Sequence, residues 1–350
     1  MIRKVFMAGV LALTALVVAD LALRERSPAP RGSEVLQAEP LASTQEEGKV
    51  DPDLPAYARA EGVSGSLKSI GSDSMNNEMT SWGEKFRGFY PNVKLEVEGK
   101  GSGTAPTALI EGTANFGTMS RPMKNAEIDL FEKKFGYKPT EIRTSLDVLA
   151  VYVHKDNPVQ SLTLPQVDAI FSKNRKGGYL KEIRTWGDLG LTGKWATLPI
   201  SLYGRNSSSG TYAYFKEHAL FNGDYKDQVK EQAGSGAVVQ AVGSDLGGIG
   251  YSGIGYATAD VRAVPLAEKE GATAIEPSRE SAYSGDYPIW RYLLIYVNKK
   301  PGEALEPLRR EFLKLVLSRE GQSVVVKTGY VPLPASVAKE ELRKILSPAN

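Results

Sequence analysis

From about residue 63 onward, short apolar runs alternate with longer stretches whose apolar residues recur every three or four positions. Residues 67–70 read as a strand. They lead into Gly71-Ser72-Asp73-Ser74-Met75, then into a helix with Met79, Trp82, Phe86 and Phe89 on one face, closed by Tyr90-Pro91. A second strand at 94–98 enters Gly99-Lys100-Gly101-Ser102-Gly103-Thr104, and Pro106 suits the first turn of the helix behind it. A third strand at 115–118 ends in Ser120-Arg121-Pro122-Met123, and the apolar run 148–154 reads as a buried strand. Residues 199–203 then enter Gly204-Arg205-Asn206-Ser207-Ser208-Ser209-Gly210-Thr211, ahead of a helix with Tyr212, Phe215 and Ala219. A late strand at 289–298, a helix at 305–317 and a Pro-punctuated end complete the pattern. Strands alternating with helices predict an α/β fold built on mainly parallel sheets.

One event repeats near residues 71, 101 and 208: a strand, a small Gly/Ser/Thr loop, then a helix N-terminus. In α/β folds ligands collect at the carboxyl ends of strands. A helix start offers backbone N–H groups without intrahelical partners and a partial positive charge, and small residues let an anion approach them. The hydroxyls of Ser74, Ser102, Ser209 and Thr211 would add donors, and the Arg205 guanidinium would fork onto two oxygens of a phosphate-like ion. Any one of these loops, taken alone, reads first as an ordinary helix cap. Three of one chemistry in one chain point to an oxyanion site.

The first 62 residues differ in character. Arg3 and Lys4 precede an apolar stretch over 5–19, the pattern of a secretory signal with cleavage expected after Ala19. The run is shorter than the roughly 20 residues that span a bilayer comfortably, and an uncleaved anchor is the alternative reading. Residues 20–63 carry Pro28, Pro30, Pro40, Pro52 and Pro55 with little apolar periodicity, and read as an extended or disordered tether. The chain has no cysteine, which removes disulfides, thiolate metal sites, cysteine nucleophiles and lipid attachment at an N-terminal cysteine.

Charge and motifs narrow the function classes. The net charge of +2, with acids and bases interleaved, does not suggest a nucleic-acid partner. The two histidines, His154 and His218, stand far apart, and neither an HExxH pair nor a Gly-x-Ser-x-Gly elbow occurs, so neither metal nor nucleophilic catalysis is indicated. Gly248 to Gly253 formally fits GxGxxG, yet the residues that follow lack an amphipathic helix, so it reads as strand and turn. Gly193-Lys194 is followed by Trp195 and lacks the spacing of a phosphate-binding P-loop. An adhesion role would be compatible with the tether and the 16 tyrosines, though tyrosine more often lines a core or cleft.

The run 204–211 resembles the Arg-x-x-x-Ser-Gly-Thr motif of the phosphate-binding proteins that serve high-affinity phosphate ABC importers. GSDSM (71–75), GSGTAP (101–106), NFGTMSRPM (115–123), DVLAVYVHKDNP (147–158), GIGYSGIGYAT (248–258) and GYVPLP (329–334) follow in the order that family uses. The resemblance covers the chain from about Ser66 to its end. It implies a two-lobed periplasmic-binding-protein type II fold, with two mainly parallel sheets joined by two crossover strands. One lobe would hold 64–150 and 283–350, the other 151–282.

The resemblance further implies a phosphate site made by Ser74, Met75, Ser102, Ser120, Arg205, Ser209, Gly210 and Thr211. It also implies no cofactor, a monomer, and a permease and ATPase as partners. One position departs: many members carry Asp where this chain has Ser120, and that Asp accepts the phosphate proton. Phosphate carries a proton at neutral pH and sulfate does not, so such a carboxylate separates the two by ~4–7 kcal/mol. Asp73 or Asp147 is expected to stand in as acceptor, with Arg121 adding charge in the site or at its rim. Another oxyanion, such as sulfate, is the nearest alternative ligand.

Overall fold

The protein is described by a computed structural model that covers residues 50–346. The expected signal, 1–19, and the tether up to residue 49 lie outside the described residues. The sequence reads as strand–helix pairs, and so the chain begins: Gly65–Gly71 (β1), Asn76–Phe89 (α1), Val93–Glu98 (β2), Ala105–Glu111 (α2), Phe116–Met119 (β3) and Asn125–Phe135 (α3). Then comes β4 (Thr140–His154), whose run from Ser145 to Val153 is buried throughout, as expected of a strand covered on both faces.

Beyond β4 lie β5 (Leu162–Thr163), α4 (Leu164–Phe171), β6 (Ser201–Arg205), α5 (Gly210–His218), β7 (Lys230–Gln232), α6 (Ser235–Gly243), β8 (Gly248–Gly253), β9 (Val261–Ala263) and β10 (Leu266–Ala267). The chain returns through α7 (Arg279–Ser284) to β11 (Trp290–Val297), then ends in α8 (Pro307–Val316), α9 (Arg319–Lys327) and α10 (Ala335–Leu346).

The main strands run in the order β2-β1-β3-β11-β4-β8-β6-β7, with β9 also on β4. The outer pairs β1–β2, β1–β3, β6–β7 and β6–β8 are parallel, and the pairs made by β4 and β11 are antiparallel. β4 changes partner midway: Thr140 to Val148 faces β11, and from Leu149 it faces β8. That one strand therefore passes from one lobe to the other. The return passage lies beside it, where the Leu149 N–H donates to the Ile289 carbonyl at 3.0 Å.

Packing explains which pieces belong together. The periodic face of α1 buries Met79, Trp82 and Phe86 almost completely, with Trp82 donating to the Gly321 carbonyl of α9 at 2.8 Å and Phe86 edge-on to Phe312 of α8. The C-terminal helices thus complete the core of the first strand group. The folded body also starts earlier than the composition suggests. Residues 50–57, read from their prolines as tether, bury Val50 and Leu54 in that same core, and the Arg319 N–H donates to the Pro55 carbonyl at 2.9 Å. Proline set the composition signal, while two apolar side chains too few to show a period set the packing.

Candidate functional site

The loop after β1 forms a 3-10 turn over Asp73–Met75 that runs directly into α1. Two tyrosines from distant segments hold its backbone: Tyr256 donates to the Asp73 carbonyl at 2.9 Å and Tyr330 to the Ser74 carbonyl at 2.7 Å. The loop after β6 ends in Ser209, whose hydroxyl caps α5 by accepting the Tyr212 N–H at 3.3 Å. Gly210 and Thr211 open that helix, so their N–H groups lie beyond the reach of any intrahelical carbonyl.

These two adjacent residues meet two hydroxyl clusters. Thr211 Oγ1 lies 2.9 Å from Ser74 Oγ, which is 3.4 Å from Ser235 Oγ. Gly210 faces Ser102 and Ser120, whose Oγ atoms are 3.3 Å apart, and Ser102 Oγ accepts the Ser120 N–H at 3.0 Å. The approach is close enough that a Cβ on Gly210 would fall 2.2 Å from Ser102 Oγ and 2.5 Å from Ser120 Oγ. The four serines of these clusters and Thr211 are buried.

Two arginines flank the clusters. Arg205, at the end of β6, donates to Ser235 Oγ at 2.8 Å and pairs with Asp73 at 3.2 Å. Burial pulls its guanidinium below the ordinary arginine value, with Asp73 the largest influence in the opposite direction. Arg291, on β11, gives two hydrogen bonds to Asp147 Oδ2 at 3.0 and 2.7 Å and one to Thr211 Oγ1 at 2.9 Å. Each guanidinium keeps one buried N–H group without a protein partner, Nε of Arg205 and Nη1 of Arg291. Buried charged donors of this kind are costly unless something accepts from them, and an anion would.

The cleft is closed across this site. The Gly103 N–H donates to the Ser208 carbonyl at 3.0 Å, and Asp73 accepts the Ser235 N–H at the start of α6 at 2.7 Å.

Of the residues singled out from sequence, Ser74, Ser102, Ser120, Arg205, Ser209, Gly210, Thr211, Asp73 and Asp147 converge here. Two expectations change. The Met75 N–H, expected to serve the ligand, donates instead to the Ser72 carbonyl at 3.2 Å, because the turn is 3-10. Arg121, expected in the site or at its rim, has its guanidinium engaged outside it: it forks onto Glu127 at 2.8 and 2.6 Å in the first turn of α3, and donates to the Pro122 carbonyl.

Ser235, Arg291 and Glu78 escape the sequence reading. Ser235 carried a usable signal, since Gly234-Ser235-Gly236 before an apolar helix repeats the loop chemistry a fourth time. Arg291 and Asp147 each interrupt an apolar strand, a complementary pair that only the register brings opposite one another. Glu78 is fully buried on α1 with no hydrogen bond of ordinary geometry to either carboxylate oxygen, and burial holds its pKa well above the usual range, opposed by the neighbouring Ser145 hydroxyl and reinforced by the Asp147 charge.

Fold and site together define a class, a two-lobed α/β binding protein with buried hydroxyls and two guanidiniums gathered in its cleft. The model of the PBP superfamily domain matches residues 56–320. The phosphate-binding protein PstS of Pseudomonas aeruginosa is 56% identical over 296 residues, covering 85% of this chain and 92% of that protein. The PstS of Staphylococcus saprophyticus is 30% identical over 285 residues, covering 80% and 84%. Among solved structures, a Clostridium perfringens protein crystallised with bound phosphate matches with TM-score 0.66 and 26% identity, over 77% of this chain and all of that one. A Vibrio cholerae phosphate transport receptor, at 22% identity and TM-score 0.58 over 76% of this chain and all of that one, shares the fold. The chain belongs to the PBP superfamily, and within it to the PstS family of phosphate-binding proteins.

Proposed function

We propose that this chain captures inorganic phosphate between its two lobes and delivers it, chemically unchanged, to the permease and ATPase of an ABC importer. The observation that carries this reading is the convergence of Ser74, Ser235, Ser102 and Ser120 on Gly210 and Thr211, between two buried guanidiniums with an open N–H each. Names and ligands of the relatives support it.

Reversible capture needs no nucleophile, and the residues at this point are donors and caps, so we read the chain as a binding protein and not an enzyme. Export by the segment 1–19, a tether that keeps the protein near the membrane, and action as a monomer outside the cytoplasm belong to the same reading. Its lobes would be 64–150 with 283–350, and 151–282. Contacts that cross the cleft, Gly103 with Ser208 and Asp73 with Arg205 and Ser235, support coupling of binding to closure, a difference that a permease can sense.

Titration calorimetry of the purified chain, stripped of anion by unfolding and refolding, tests it. Tight one-to-one phosphate binding, lost by at least ~10²-fold in Arg205→Ala, is expected. No heat with phosphate from folded protein would reject the reading.

A further inference from the structure

A second polar cavity lies well away from the cleft. β11 begins beside the site, with Arg291 opposite Asp147, and ends with Val297 opposite Thr140. At ~3.3 Å per residue of strand, its far end stands about 20 Å from Arg291. There Tyr137, Asn298, Lys299, Lys300, Glu303 and Arg309 line a cavity of about 260 Å³. That space is several times the ~30 Å³ share of one water and smaller than the ~300–1,000 Å³ of organic-ligand pockets. It suits a small ion or a single head group.

The charges around it do not balance. Three cations line it against one carboxylate, and that carboxylate, Glu303, is held by Lys300 at 2.5 Å on the exposed rim. The next acid along the chain, Glu306, caps α8 by accepting the Leu308 and Arg309 N–H groups at 3.0 and 3.1 Å. It meets the Arg309 guanidinium only at 3.8 Å. Lys299 is 6% exposed, and among the described residues its ammonium has neither a hydrogen bond nor an ion pair. Asn298 Oδ1 accepts from the Tyr137 hydroxyl at 2.8 Å, which leaves the Nδ2 end of that amide to donate. Arg309 gives one N–H to the Asn298 carbonyl at 3.2 Å and has others to give.

A long cation with a buried stem ordinarily turns its head to water. Here Lys299 shares a walled cavity with a second, weakly paired cation, and two like charges side by side repel unless an anion lies between them. We propose that this cavity is an accessory anion site, which takes a phosphoryl group between Lys299, Arg309 and the Asn298 amide. The group is either free phosphate or the head of an anionic lipid. Donors from three side chains outnumber the two oxygens of a carboxylate and match the terminal oxygens of a phosphoryl group. The cavity and the cleft share no residue, so the accessory site does not depend on the capture proposed above.

Amide NMR of the purified chain, with ionic strength held constant by sodium chloride, reads both places at once. Once the cleft is saturated, inorganic phosphate is expected to shift the resonances of 298–303 further, with a Kd on the order of millimolar. Lys299→Gln is expected to weaken that second event at least ~10-fold and to leave the shifts of 204–211 as they are. Arg309→Gln takes its place should the first variant fail to fold. Sedimentation with phosphatidylcholine vesicles, with and without phosphatidylglycerol, supplies the lipid arm. Extra binding to the phosphatidylglycerol vesicles that Lys299→Gln removes, with no second phosphate shift, would identify the lipid head as the source. No second phosphate shift by ~50 mM and no Lys299-dependent vesicle binding would overturn the proposal and leave capture in the cleft untouched. A second shift equally strong in both folded variants would place the anion elsewhere and overturn it too.

Discussion

The site contains two arginine–aspartate pairs, and they are built in opposite ways. Arg291 and Asp147 are direct cross-strand neighbours on β11 and β4, joined by two hydrogen bonds at 2.7 and 3.0 Å and wholly buried. Backbone register alone brings them together, so the pair is present whatever the cleft does. Arg205 and Asp73 come from the ends of β6 and β1, in different strand groups, and meet in a single contact at 3.2 Å with Asp73 partly exposed. That second pair spans the two strand groups, so opening of the cleft would break it. The first is part of the floor and the second acts as a latch. The difference lies in which strands carry the two partners, adjacent strands in one case and different strand groups in the other, and not in the residue types, which are identical.

Removing the floor should cost most. In Asp147→Ala the Arg291 guanidinium stays buried without its carboxylate, and a loss of about 3–5 kcal/mol is expected in urea unfolding followed by circular dichroism. A loss below about 1 kcal/mol would mean the pair is not part of the floor. The latch should behave differently. Asp73→Asn keeps the shape, and we expect phosphate affinity to fall by ~10–10²-fold with unfolding stability within about 0.5 kcal/mol of wild type. Equal stability losses in the two variants would erase the comparison.

The smallest effect sharpens the contrast from beneath. The folded chain binds the Glu78 proton more tightly than the unfolded chain does, because burial raises its pKa. This group's stabilising contribution is full below the ordinary glutamate value of about 4.3, and declines as pH rises from there toward the raised folded-state value. Glu78→Gln should remove that decline, leaving stability higher by about 1 kcal/mol at the upper end, measured as the difference in unfolding free energy between variant and wild type over a pH series. A difference that does not change with pH would show that Glu78 titrates normally.

Much of this was legible in the chain. Alternation of apolar runs with periodic stretches is local, so β1, α1, β6 and α5 could be read with the loops between them. The Gly/Ser loops before helices could be recognised because a helix start demands small, capping residues whatever surrounds it. Arg205, Ser209, Gly210 and Thr211 sit on one such loop and were readable together. Arg121 misled because its neighbours in sequence, Ser120 and Pro122, belong to the site loop, while its true partner Glu127 lies on the next helix. Ser235 carries the same local pattern, with Gly on either side at the start of α6.

The sequence by itself determined the order of strands and helices and the small polar loops at helix starts. Those features depend on side-chain period and backbone sterics over a few residues, which no distant contact has to supply. Only the tertiary structure decided that Arg291 faces Asp147, that Asp73 reaches the start of α6 in the other strand group, and that Glu78 is sealed from solvent. The first two join residues 144 and 162 positions apart through register and cleft closure, and such distances carry no pattern along the chain.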